Sequence, residues 1–383
     1  MRDIKFYIGL ITLTMAFYSC QKPINLQVTT SNANILVVEG MINAGTDSTK
    51  IKLSRTVIIG NKTTANPEGG AVVSIENAQA TVATLKEIVK GTYVTPMLNL
   101  DKTKQYRLRV KLANGKTYLS DLVDTKVTPP IDSVGYTIKS DGIQLYLNSH
   151  DLTNNSRYYI YNYTEAWRFD SKYISSLISD GTSILVRTSA QNITSCFANS
   201  TSANIVLNST ASLNQDVTYQ TPITNIDATS EKISIRYSIL VTQTALTKEA
   251  YAFWENLKKS TEQLGSIFDA QPSQLIGNIH NIADASEPVI GYISAATTQS
   301  KRIFIDKFDL PPNFKTVYPH NCRADTAFLN DVPNTILPLK SGLIILAPAI
   351  HPISFQLIGY TFTSPLCGDC TVRGTRKQPI FWK

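Results

Sequence analysis

Residues 105–123, QYRLRVKLANGKTYLSDLV, constrain the fold more than any other stretch. Tyr106, Leu108, Val110 and Leu112 alternate with charged or polar residues. A period of two puts one set on a buried face and the other in water, as in a half-buried strand and unlike a helix. Asn114-Gly115 interrupts the alternation with a dipeptide favoured in type I′ hairpin turns. The same period runs through NILVVEGMI (34–42) and TKIKLSRTV (49–57), which residues 43–48 separate with turn formers. It continues in GGAVVSIEN and ATVATLKE. Leu100 and Tyr106 have the spacing of a tyrosine corner, a Greek-key feature. Together these predict a mainly β protein that begins with a Greek-key, immunoglobulin-like β-sandwich over residues 31–128.

Pro129-Pro130 ends that unit, because proline has no place in a central strand. Residues 131–383 read as a second β-rich domain. SVGYTIKSDGIQLYLN forms a hairpin around Ser140-Asp141-Gly142, and SRYYIYNYTEAWRF (156–169) is a long strand crowded with aromatics. One inserted helix is predicted over residues 247–265, capped by Thr247 and ended by Gly265. Ala250, Trp254, Leu257, Thr261 and Leu264 share one of its faces, so Trp254 and Leu257 are expected inside. Lys258, Lys259 and Glu262 are expected in water.

The N-terminus, MRDIKFYIGLITLTMAFYSC, sets Arg2 and Lys5 ahead of an apolar run over residues 6–18. The run is shorter than the roughly 20 residues of a membrane-spanning helix and has the proportions of a secretory signal. Ser19-Cys20 then resembles a bacterial lipoprotein processing site, with Phe17 and Tyr18 in place of the usual leucine and small residue. Residues 1–19 therefore read as a lipoprotein signal peptide, Cys20 as the lipidated first residue, and 20–30 as a tether. Anchoring would rest on lipid alone.

An exported chain meets oxidising conditions, where thiols pair. Cys196, Cys322, Cys367 and Cys370 remain, an even set with three possible connectivities. The last two lie in CGDC. A redox pair there would need a following helix in a βαβ setting, and a zinc site would need two further ligands. The only candidate partner for zinc is Cys322 with His320. The β-rich chain end favours structural disulfides instead. Joining Cys322 to Cys367 or Cys370 closes the shorter loop and leaves Cys196 for the other; a bond within CGDC, with Cys196 joined to Cys322, is the alternative. Either arrangement holds residues 371–383 on the second domain, where Phe381 and Trp382 can bury apolar area.

Little in the chain points to chemistry. A net charge of +7 is spread among Thr, Asn and Ser rather than gathered into a nucleic-acid-binding block. His150, His280, His320 and His351 stand singly, without metal-ligand spacing, and no metal or cofactor is expected. Glu165 is a candidate buried acid, with Asp151 or Asp170 as the second carboxylate that glycoside hydrolysis would need. A hydrogen-bonded strand residue is the simpler reading. Tyr159, Tyr161, Tyr163 and Trp167 share a strand face with Glu165 and are candidates for ligand or partner binding, in competition with core packing.

ILVVEGMI, RYYIYNYTEAWRF, TKEAYAFWENLKK, FDAQPSQLIGNI, VIGYISAA and the closing CGDC…G…KQPIFW resemble the domain of unknown function 4249 family, lipoproteins of Bacteroidetes-type bacteria. The similarity runs over nearly the whole mature chain. The resemblance implies an outer-membrane or envelope lipoprotein beside a TonB-dependent receptor, and it assigns no catalytic residue. The expected function is thus a non-enzymatic accessory or ligand-binding partner of a TonB-dependent transporter. A carbohydrate-binding or adhesive surface module is the alternative. QKPINLQ after Cys20 lacks the acidic residues that often mark surface export, so the cell surface and the periplasmic face both stay open.

Overall fold

The structure, a computed structural model, describes residues 34–57, 66–180, 183–262, 277–318, 320–330 and 342–382. The residues read as a signal peptide and tether, with Cys20, and Leu264 and Gly265 lie outside the described residues. The protein is mainly β.

The first eight strands are β1 (Leu36–Asn43), β2 (Ser48–Arg55), β3 (Val72–Glu76), β4 (Thr81–Val89), β5 (Thr92–Met97), β6 (Gln105–Lys111), β7 (Thr117–Ser120) and β8 (Val123–Lys126). Their inward residues form one core, including Ile51, Leu53, Val73, Ile75, Leu108 and Tyr118. The order β6-β3-β4-β5 is a Greek key, a meander whose fourth strand returns beside its first. Tyr106 makes the expected corner, its hydroxyl donating to the Asp101 carbonyl at 3.1 Å. The β6–β7 connection differs from the type I′ expectation. Gly115 N–H bonds the Leu112 carbonyl and Gly115 alone takes positive φ (+87°), so the loop is three residues long with glycine in the left-handed position.

Residues 279–296 return the chain to this sheet. Beyond the Pro129-Pro130 boundary, β18 (Ile279–Asn281) pairs with β7, β19 (Val289–Ile290) with β1, and β20 (Ala295–Ala296) lies parallel between β1 and β8. Because β8 also pairs with β6, β20 closes a barrel-like ring of eight strands. The GNI and VIGYISAA segments explain how the return fits. A side chain on Gly291 would meet the Val38 carbonyl, and one on Gly277 would meet the Gly291 carbonyl. Asn278, buried, exchanges two hydrogen bonds with the Ile293 backbone at 2.8 and 2.9 Å.

The second unit packs two sheets face to face. One holds β9 (Ile131–Ile138), β10 (Gly142–Asp151) and β16 (Asp216–Asp227); the other runs β14 (Ser195–Thr201), β11 (Tyr158–Asp170), β17 (Arg236–Ala245) and β21 (Thr298–Asp306), with β15 (Val206–Ser209) also on β11. Leu145, Leu147 and Ile223 from the first meet Tyr161, Tyr237 and Ile239 from the second. A hairpin of β12 (Leu177–Ser179) and β13 (Ile184–Val186) and a sheet of β22 (Ala324–Phe328), β24 (Leu357–Thr363) and β23 (Ile344–Ile350) complete the unit.

Helix α1 spans Lys248–Glu262, with the Thr247 hydroxyl accepting the Ala250 N–H as its cap. Its inner face is turned by one residue from the expected one. Ala250 and Phe253 are buried, whereas Trp254 and Leu257 are half-buried and Thr261 is exposed. Rings decide the rotation: Tyr292 lies 5.5 Å from Phe253, and Tyr158 lies 5.1 Å from Tyr251. Lys258, expected in water, is half-buried along the same side.

Candidate functional site

A concavity lies between the two units. It has a volume of about 680 Å³ and is walled by the 125–130 crossover, the loop from β10 to β11 and Gln299 at the start of β21. That volume falls in the range of small-molecule sites, roughly 300–1,000 Å³. A smaller depression of about 260 Å³ shares Lys126 and Asn155 with it and leads to the start of α1.

The walls are held by their own polar groups. Thr128 is buried; its N–H donates to the Thr297 hydroxyl, and its own hydroxyl accepts from Ala245 N–H and donates to the Thr297 carbonyl. Gln243 donates to the Pro129 carbonyl at 3.0 Å, and Ser156 to the Val127 carbonyl at 3.0 Å. Asp151 accepts from the N–H groups of Thr153, Asn155 and Ser156 and from the Thr153 hydroxyl. Burial alone would raise its pKa, but these bonds outweigh it and hold the carboxyl below the usual range. Asp151 therefore shapes the loop. Leu152 projects at the rim, 87% exposed.

A β-bulge at Asn148–Ser149 bends β10 just before His150, a titratable group of the rim. Its Nδ1 lies 2.7 Å from Asp132 Oδ2, and that hydrogen bond and charge raise the His150 pKa. The stability this pair contributes is complete below the ordinary histidine pKa of about 6.5 and fades as pH rises through the raised value. The His150 ring signals in an NMR titration are expected to move above the free-imidazole range, and Asp132→Asn to bring them back down.

The sequence candidates fall elsewhere. Tyr159, Tyr161, Tyr163, Glu165 and Trp167 do share one face of β11, but that face is the interior. Tyr159 and Tyr161 are fully buried, Tyr163 nearly so, and Trp167 is half-buried. They form no exposed stacking row, because β9, β10 and β16 cover them. The Tyr159 hydroxyl instead bonds buried Asp216, which also accepts from Thr210. Burial first, then Asp216, pushes the Tyr159 pKa up and keeps it a donor.

Glu165 is 4% exposed and fully engaged, accepting from the Lys232 ammonium at 2.6 Å and the Tyr237 hydroxyl at 2.8 Å. Both of its carboxylate oxygens are thus taken up by hydrogen bonds inside the core. Lys232 also stands 5.3 Å from the Trp167 ring. The strand position is a satisfied ion pair in the core.

The cysteines pair as Cys196–Cys370 and Cys322–Cys367. Cys322 is thus not free to join His320 as a ligand, and no group of three or more potential ligands occurs among the described residues. The tail beyond the bonds lies against the sheet. Thr375 exchanges backbone hydrogen bonds with Phe197 at 2.7 and 2.9 Å and so covers the outer edge of β14. Trp382 is buried against Phe197 and Phe304, with ring centroids 5.1 and 5.6 Å away. Phe381, expected to bury as well, is partly covered by Arg302 and 38% exposed, and Ile380 is in solvent.

The remaining histidines are peripheral. His280 lies 3.6 Å from Asp121 with both side chains exposed, and His351 sits in a surface turn. Among the described residues no helix is long and apolar enough to cross a membrane. Sequence reading missed the groove, because three separate segments build it. Its one visible trace was Pro129-Pro130, taken only as a boundary.

No curated protein matches the chain. A family model described as "Domain of unknown function (DUF4249)" matches residues 21–302, which takes in the barrel, the groove and α1 and stops short of the cysteine tail. The chain belongs to that family.

Proposed function

We propose that this protein is a non-enzymatic, lipid-anchored envelope protein that uses the groove between its two units to hold a ligand or a segment of a TonB-dependent outer-membrane transporter. The groove carries the reading: its walls are locked before any ligand arrives, and they offer hydroxyl, amide and apolar groups, which suit binding. The two disulfides support an exported location, since such bonds persist in oxidising compartments. The Ser19-Cys20 junction supports lipidation of Cys20 and attachment to the outer membrane. We read the first unit as a flattened Greek-key sandwich whose two sheets meet at β20. The carbohydrate-binding alternative has lost its leading feature, the row of tyrosines.

The test places a photo-crosslinking residue at Leu152 in the full chain in cells. A covalent adduct with an outer-membrane β-barrel receptor is the expected result. Adducts absent at Leu152 but abundant at a distant exposed control, Tyr219, would overturn the groove as the contact site.

A further inference from the structure

The hairpin of β23 and β24 ends in the turn His351-Pro352-Ile353-Ser354-Phe355-Gln356. Ile353 and Phe355 are 83% and 80% exposed, clear of the rest of the described protein. Ile350 and Leu357, opposite each other on the last rung, are exposed too. No Asp, Glu, Lys or Arg occurs from Gly342 to Gly368, although the chain as a whole is 17% charged. A surface hairpin without charge is unusual, since exposed strands and turns are ordinarily kept soluble by charges.

The turn is also strained in favour of exposure. Phe355 has φ +54°, a left-handed conformation that bulky side chains avoid and glycine would take freely. An outlier of this kind points to function when the surroundings enforce it, and here they do. His351 N–H donates to the Gln356 carbonyl at 2.9 Å, and Phe355 N–H to the His351 carbonyl at 3.0 Å. Ile353 N–H and Ser354 N–H both donate to Nδ1 of His351, at 3.3 and 3.1 Å. That places the ring's proton on Nε2. Pro352 has no N–H to satisfy. Every backbone donor from residue 351 to residue 355 is therefore answered within the turn.

Answering these donors removes part of the cost of entering an apolar phase, where water is not there to take up a free N–H. We propose that the tip of this hairpin dips into a lipid bilayer, burying Ile353 and Phe355 among the acyl chains. A protein partner would more typically be met by Trp, Tyr or Arg anchors, and the tip has none. The base is fixed for the task. Cys322–Cys367 ties the far end of the sheet, and Ser175 and Ser176 bond the β23 carbonyls of Ile345 and Leu346 at 2.7 and 2.8 Å. The contact is independent of the groove and of Cys20.

The experiment reads depth directly. Full chain carrying Phe355→Trp is bound to vesicles of phosphatidylcholine and phosphatidylglycerol, with brominated phosphatidylcholine as the quencher. Tyr219→Trp, at an exposed position on β16, is the control, and far-UV circular dichroism confirms that both variants fold. The expected result is blue-shifted emission at 355 and bromine quenching several-fold greater than at 219. Emission at 355 that stays open to aqueous acrylamide while the chain is vesicle-bound would overturn the proposal. So would equal quenching at both positions, which marks non-specific adsorption, or shielding at 355 only in native membranes, which marks a protein partner.

Discussion

Replacing Cys370 by serine is expected to lower the unfolding free energy by about 2–5 kcal/mol, measured by urea denaturation of the oxidised protein. The bond it removes spans 174 residues, the other 45. Loop-closure entropy alone puts upper values of roughly 5 and roughly 4 kcal/mol on them. The native state loses more than a cross-link. Cys370 sits in a small core with Phe169 and Cys196, and the tail it secures covers the β14 edge and seats Trp382. Cys370→Ser should therefore expose the tail to protease as well as lower the midpoint. A midpoint unchanged within error would mean that the tail is held by packing alone. Cys322→Ser should spare the tail and loosen the β22–β24 sheet.

The second large effect concerns α1. Phe253→Ala should cost about 3–5 kcal/mol, the usual range for a buried aromatic, because Phe253 is the ring the helix inserts beside Tyr292. Trp254→Ala should cost clearly less, since Trp254 is only half-buried. Thermal melts of the two variants side by side decide the orientation of the helix. If Trp254→Ala proves the more damaging, the inner face is the one that helical spacing alone predicts.

That pair shows where sequence reading reaches its limit. Helical periodicity located α1 and its cap, but neighbouring residues 253 and 254 differ by only 100° around the axis, and the surrounding tyrosines chose between them. Alternation located β1 to β4 and β6, a signal carried within each strand, and aromatic crowding located β11, while β5 went unread. β19 and β20 are two residues long, and their pairing with β1 is parallel and distant, so nothing local announces them. The shared face of Tyr159, Tyr161, Tyr163 and Trp167 was legible. Its direction was not, because a tyrosine suits a core and a binding surface equally well. For the disulfides, the shorter-loop argument anticipated a Cys322 bond to the CGDC pair, and the fold supplied which cysteine took it. The groove and the apolar hairpin tip depend on what neighbouring segments leave uncovered, which no single stretch encodes.

The eight-stranded ring has a consequence for biogenesis. Its closing strand, Ala295–Ala296, lies far downstream of the strands it joins, with most of the second unit in between. A chain made from its N-terminus presents β1 to β8 first, with β1 and β8 as open edges awaiting a partner. Such edges template pairing with other chains, and late, long-range pairing lengthens the time they are exposed. Newly made molecules therefore pass through an adhesive stage that ends only when residue 296 emerges and docks. Truncations ending before residue 295 should aggregate rather than yield an isolated barrel.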